Sequence, residues 1–167
     1  MKNSTQTEMN LLQAFAGESQ ANRKYLAFAK QAEKEGYSQV AKLFRAAAEA
    51  ETVHALSHLR TLGQIGTTVE NLKAAIAGET YEYTQMYPQM IEKAAEEGNL
   101  AARRSFSHAN AVEVEHASLY QQALDRMGSM EETDYYVCSV CDYTCADGAP
   151  DTCPVCGSAA MAFSRVD

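Results

Sequence analysis

The sequence predicts an all-α four-helix bundle followed by a small cysteine-rich module. Three observations predict it. Residues 4–127 are rich in Ala, Glu, Lys, Leu, Gln and Met, with apolar residues at helical spacing. A short pattern of Glu and His positions occurs twice within that stretch. From Tyr135 onward the composition changes abruptly to Cys, Gly, Pro, Asp and Tyr.

Glycines divide the helical stretch. Gly36 ends a first helix of about 4–35, and Gly63 and Gly66 flank the break after a second at 38–62. Thr67 with Glu70 three residues later has the form of a capping box, which opens a third helix over 68–97. Pro88 lies inside that helix and should kink it or open it locally. Gly98-Asn99 marks the last break, before a fourth helix at 99–127. Residues 128–134 are polar and read as a linker between a helical domain at 1–127 and a module at 135–167. Those 33 residues cannot bury enough apolar surface to fold alone and need a staple.

Composition narrows the function. The formal net charge of −8 argues against nucleic acid or an anionic membrane surface as a partner. No apolar run approaches the roughly 20 residues that span a bilayer. The first residues, MKNSTQTEMNLL, show no export signal, so a cytoplasmic location is expected. All five cysteines fall between Cys138 and Cys156, a clustering that favours metal over a disulfide framework.

The repeat carries the chemistry. Ala16-Gly17-Glu18-Ser19 recurs as Ala77-Gly78-Glu79-Thr80, and Glu51-x-x-His54 recurs as Glu113-x-x-His116. The Glu-to-Glu spacing is 33 in the first copy and 34 in the second, so a duplicated helical hairpin is the simplest account. Glu and His three apart share a helix face. Glu18 and Glu51 are nearly equidistant from the Gly36 turn, as Glu79 and Glu113 are from the Gly98 turn, so each hairpin sets a Glu level with a Glu-x-x-His pair. One Glu from each of two helices and Glu-x-x-His from each of the other two is the ligand set of di-iron carboxylate bundles. Leu12, Phe15, Phe44, Val53, Ile76, Val112 and Val114 provide apolar neighbours that make unpaired carboxylates costly and a cation pair favourable. Glu82, three residues after Glu79, is a further candidate ligand; a fifth carboxylate favours the oxidised metal pair. His58 and His108 fit no part of the pattern.

Cys138-x-x-Cys141 and Cys153-x-x-Cys156, with eleven residues between the pairs, form two metal knuckles. Four thiolates accept zinc or iron; an iron site elsewhere in the chain favours iron, with zinc as a substitute. Cys145 lies outside the pairs and reads as a free thiol.

These motifs resemble the rubrerythrins. Phe15-Ala-Gly-Glu18-Ser-Gln, Glu51-x-x-His54, Gly78-Glu79-x-x-Glu82-Tyr83, Met86-Tyr87-Pro88 and Glu113-x-x-His116 look like that family's di-iron motifs, in order. Tyr136-Val-Cys138-x-x-Cys141-x-Tyr143 and Cys153-Pro-x-Cys156-Gly157 look like its rubredoxin-type module. The resemblance implies a ferritin-like bundle with two iron ions, one iron in the four-cysteine site, and reduction of hydrogen peroxide to water. An external donor such as a rubredoxin or an NAD(P)H-dependent reductase would supply electrons through the cysteine site. It also implies that Glu82 and His54 exchange as ligands of one iron, and that Tyr25 and Tyr87 stand near the site. A ferroxidase or oxidase using oxygen, and an iron storage or sensing protein, are the rival readings. Asp142 departs from the pattern, standing where rubredoxin knuckles have a glycine at positive φ.

The link between the second and third helices is short. A ferritin-like connection must climb roughly 30–35 Å here, whereas residues Gly63 to Thr67 reach at most about 20 Å. Either the bundle runs up-down-up-down, or a homodimer exchanges helices so that each di-iron site draws on two chains. The second reading is favoured.

Overall fold

The structure, a computed structural model, describes residues 4–167. It forms two compact units divided between Gly66 and Thr67.

The first unit is a hairpin of α1 (Gln6–Lys34) and α2 (Ser38–Thr61). Thr5 caps α1: its hydroxyl accepts from the Glu8 amide, and the Glu8 carboxylate accepts from the Thr5 amide. This reciprocal cap satisfies two donors that the first turn would leave orphaned. Gly36, at φ +84°, turns the chain into α2, a backbone setting that a side chain would resist. The seam between the helices is lined by small residues, with Ala29, Ala32, Ala41, Ala48 and Ala55 all buried. Small side chains let the two backbones approach closely. Asn22 is the buried polar residue of this seam; its amide donates to the Ala48 carbonyl at 2.7 Å and to Thr52 Oγ1 at 2.8 Å. Those bonds offset the cost of removing the amide from water.

The second unit begins with α3 (Thr68–Tyr81), opened by the expected capping box of Thr67 and Glu70. The expected single helix to residue 97 is interrupted. Glu82–Met86 form a π-turn, after which α4 (Tyr87–Glu96) resumes regular winding. Pro88 accounts for the break: its ring crowds the preceding turn and it offers no amide hydrogen. The Tyr87 amide accordingly reaches back five residues to the Glu82 carbonyl. Gly98, at φ +67°, then turns the chain into α5 (Leu100–Asp125), capped by Asn99.

The π-turn also explains the unequal spacing of the repeat. Gly17 and Glu18 match Gly78 and Glu79 at an offset of 61, whereas Tyr25, Gly36, Phe44, Glu51 and His54 match Tyr87, Gly98, Phe106, Glu113 and His116 at an offset of 62. The extra residue enters between Glu79 and Tyr87, where the helix widens. Ring contacts confirm the match: Tyr25 lies 6.2 Å from Phe44, and Tyr87 lies 6.3 Å from Phe106.

The C-terminal module is an antiparallel sheet in the order β2-β1-β3, built from β1 (Tyr135–Cys138), β2 (Thr144–Ala146) and β3 (Phe163–Arg165). Its cysteines are its core. Cys138, Cys141 and Cys153 are buried together with Val112 of α5, with Tyr143, Val155 and Phe163 packed around them. The module therefore shares its interior with α5 of the same unit. No helix among the described residues is long and apolar enough to cross a membrane.

Candidate metal centres

Three clusters of potential ligands form among the described residues. The first unit gathers Glu18, Glu51 and His54, and the second gathers Glu79, Glu113 and His116. In each cluster one ligand atom per residue lies within 4.8 Å of the others. The hairpin geometry produces this directly, because each lone Glu sits level with the Glu-x-x-His face of the facing helix. His54 Nδ1 lies 3.0 Å from Glu51 Oε2, and His116 Nδ1 lies 2.9 Å from Glu113 Oε2. In both copies the same ring nitrogen faces the carboxylates.

The two clusters differ in setting. The His54 side chain is 60% exposed and that of His116 25%. In the second cluster burial and the neighbouring Glu113 charge push the Glu79 carboxyl above its ordinary value. Burial and the Glu79 charge do the same to Glu82. Glu82 stands beside this cluster, within the field of Glu79 and His116, and is not one of its three converging donors. Tyr87 is raised as well, by burial and then by Glu113, Glu82, Glu79 and Asp142. Carboxylates forced together in this way, with a histidine nitrogen among them, suit a hard to borderline cation. Tyr25 sits in a ring cluster with Phe28 and Phe44. His116 has a second partner that sequence reasoning missed: its Nε2 lies 3.1 Å from Thr144 Oγ1 in β2.

The third cluster is Cys138, Cys141, Cys153 and Cys156, all free thiols. Sulfur–sulfur distances are 3.7 Å for Cys138–Cys156 and 3.5 Å for Cys141–Cys153. A disulfide would require about 2.05 Å. A tetrahedral ion with metal–sulfur bonds of about 2.3 Å requires sulfurs about 3.8 Å apart, so the four thiols fit a metal ion closely. The two knuckles are built alike. The Asp142 amide donates to the Cys138 carbonyl and the Gly157 amide to the Cys153 carbonyl, each at 2.9 Å. Asp142 takes φ +65° where the second knuckle has Gly157 at +75°, the conformation expected from its position. Burial pushes the Cys141 thiol strongly upward, whereas Ser158, with its Oγ 3.2 Å from Cys156 Sγ, brings Cys156 down to about 6. Cys145 lies apart, its Sγ 3.4 Å from the Gly148 carbonyl.

Comparison with known proteins decides the family. The profile described as rubrerythrin matches residues 9–124, and that described as the rubredoxin-like domain of rubrerythrin matches residues 136–164. The chain belongs to the rubrerythrin family. A rubrerythrin of Porphyromonas gingivalis is 40% identical over 171 residues, covering 91% of this chain and 86% of the relative. Rubrerythrin-2 of Clostridium acetobutylicum is 34% identical over 164 residues, covering 88% and 89%. Nigerythrin of Nitratidesulfovibrio vulgaris is 35% identical over 161 residues, covering 88% and 80%. A structure of nigerythrin in its partially reduced state superposes with a TM-score of 0.60 at 32% identity, covering 99% of this chain and 89% of that one. The expected fold class, a ferritin-like four-helix bundle with a rubredoxin-like module, is that of this family, and the three ligand clusters fall within the matched regions.

Proposed function

We propose that this rubrerythrin-family chain is a non-haem di-iron peroxidase that reduces hydrogen peroxide to water. One observation carries the reading: a carboxylate–histidine cluster flanked by an additional carboxylate, Glu82, takes Glu113 and His116 from α5, the helix against which the four-cysteine module packs. Glu18, Glu51, His54, Glu79, Glu113 and His116 would hold two irons, and Cys138, Cys141, Cys153 and Cys156 a third. Iron held there would supply two electrons, which peroxide would take up with two protons as its O–O bond breaks to give two waters. The chain's own groups handle position and protons. Burial and the nearby carboxylates keep the Tyr87 phenol protonated as a hydrogen-bond donor. Glu82 and His54 are assigned as exchanging ligands, and Tyr25, placed in its hairpin as Tyr87 is in the other, as a hydrogen-bond donor to the site.

The reading requires an external donor, such as a rubredoxin or an NAD(P)H-dependent reductase, that delivers electrons to the cysteine site. It also includes a homodimer that exchanges helical hairpins, so that one chain's Glu18 set meets another chain's Glu79 set. The short connection after α2 supports this, as does the exposure of Leu12 and Val53 on the first hairpin. The free cysteines fit a cytoplasmic location.

The test is metal analysis followed by reoxidation of the fully reduced protein. Peroxide should reoxidise the carboxylate centre faster than oxygen does, with about three irons bound per chain. Faster reoxidation by oxygen would replace the peroxidase with an oxidase. A colourless, zinc-loaded cysteine site in protein isolated from its source would remove the electron inlet.

A further inference from the structure

His116 is held from both sides. Its Nδ1 lies 2.9 Å from Glu113 Oε2, and its Nε2 lies 3.1 Å from Thr144 Oγ1. Thr144 has a second commitment: its hydroxyl donates to the Asp142 carbonyl at 3.0 Å. A hydroxyl has one proton, and a carbonyl can only accept. With that proton directed at Asp142, Thr144 Oγ1 can only accept from the ring. Nε2 must therefore carry a hydrogen, which leaves Nδ1, the nitrogen that faces the Glu79 and Glu113 carboxylates, as the one to give its lone pair to a cation held among them.

The direction of the Asp142 carbonyl is set by the first cysteine knuckle. Asp142 takes φ +65°, its amide donates to the Cys138 carbonyl at 2.9 Å, and the Cys138 amide donates to the Tyr143 carbonyl at 3.0 Å. Val112, one turn before His116 on α5, is buried against Cys138, Cys141 and Cys153 and seats the knuckle on the helix. The chain of contacts runs from the knuckle through Asp142 and Thr144 to His116.

We infer that Thr144 is a positioning residue for the Glu79–Glu113–His116 cluster, holding the Nε2 hydrogen and the ring direction of His116 from the cysteine module. The inference rests on the reading that this cluster holds metal. A histidine ligand that donates its other ring hydrogen to a fixed acceptor binds metal more tightly, and loss of such a partner typically costs about 10- to 100-fold in affinity. His54 makes the same Nδ1 contact with Glu51, and among the described residues nothing stands at its Nε2 as Thr144 does at that of His116. It is therefore an internal control.

The experiment uses the full chain with zinc in the cysteine site and the carboxylate clusters stripped by a chelator. Nitrogen-15 NMR of the imidazoles should show a hydrogen on His116 Nε2 that exchanges with solvent more slowly than that of His54. Thr144→Val should speed that exchange, leave His54 unchanged, and weaken cobalt(II) binding at the second cluster by about 10- to 100-fold. Thr144→Ser keeps the hydroxyl and should restore both. A His116 Nε2 without hydrogen in the unsubstituted chain, or a Thr144→Val chain with unchanged exchange and affinity, overturns the inference. So does Thr144→Ser behaving like Thr144→Val. If the unsubstituted chain binds no cobalt(II) at the cluster, the metal reading fails, while the exchange still decides whether Thr144 orients the ring.

Discussion

The two hairpins are copies of one plan put to different uses. Both set a Glu level with Glu-x-x-His, both pack a tyrosine on a phenylalanine, and both turn on a glycine at positive φ. The α1–α2 hairpin remains regular, sealed by alanines and by Asn22, with an open histidine. The α3–α5 hairpin has gained a π-turn, a carboxylate beside its cluster, and the cysteine module against its last helix. Ligand geometry survived the duplication, and the added features gathered on one copy. Isolated π-turns are costly and are concentrated at functional sites, so the second copy is where chemical control is expected.

The widest effect should come from the module that only the second hairpin holds. Cys141→Ser should abolish the visible absorption of an iron-loaded cysteine site and reduce donor-driven peroxide turnover to background, while peroxide still reoxidises a chemically reduced carboxylate centre. Turnover that persists would mean electrons enter elsewhere. Next come the ligands that the hairpins share. Glu51→Ala and Glu113→Ala should each cost at least one bound iron per chain, measured by metal analysis. Full loading in either variant would end the equivalence of the two clusters. Glu82→Gln should leave the iron content intact and slow peroxide reoxidation by about 10- to 100-fold, read by stopped-flow absorbance.

Smaller effects test the knuckles and the crowding. Asp142→Gly should stabilise the module by about 1 kcal/mol, because glycine adopts φ +65° without a Cβ penalty. It should also raise the reduction potential, since a negative charge beside the thiolates favours the ferric state. Asp142→Asn, which removes the charge and tolerates the same φ, should raise the potential with little gain in stability; voltammetry and thermal unfolding separate the two. Last, the metal-free protein should lose stability as pH rises above 4.5, the ordinary value of Glu79. The folded carboxyl is raised, so the folded state holds the proton in a window where the unfolded chain releases it. The penalty is complete above the folded value. Glu79→Gln should flatten that slope in urea titrations, and added metal should mask it.

Much of this was legible from periodicity and spacing. The repeat placed both ligand clusters, because residues equidistant from a tight turn must meet across a hairpin. The Thr67 cap followed from its own residue types, and the Thr5–Glu8 cap has the same form and was open to the same reading. The difference between 33 and 34 was visible as a number, but not as a π-turn, because a count cannot say where a helix absorbs an extra residue. Pro88 pointed to a local opening without giving its form. Thr144 was invisible: it is 28 positions from His116, and no local pattern marks a threonine that docking brings to an imidazole.

Each hairpin supplies three converging donors, half of what a carboxylate-bridged iron pair requires. Where the halves come from two chains, the complete site exists only in the dimer, and iron affinity becomes a property of protein concentration. Dilution would then act as a chelator does, and a cell could tune how much iron this protein retains simply by how much of the protein it makes.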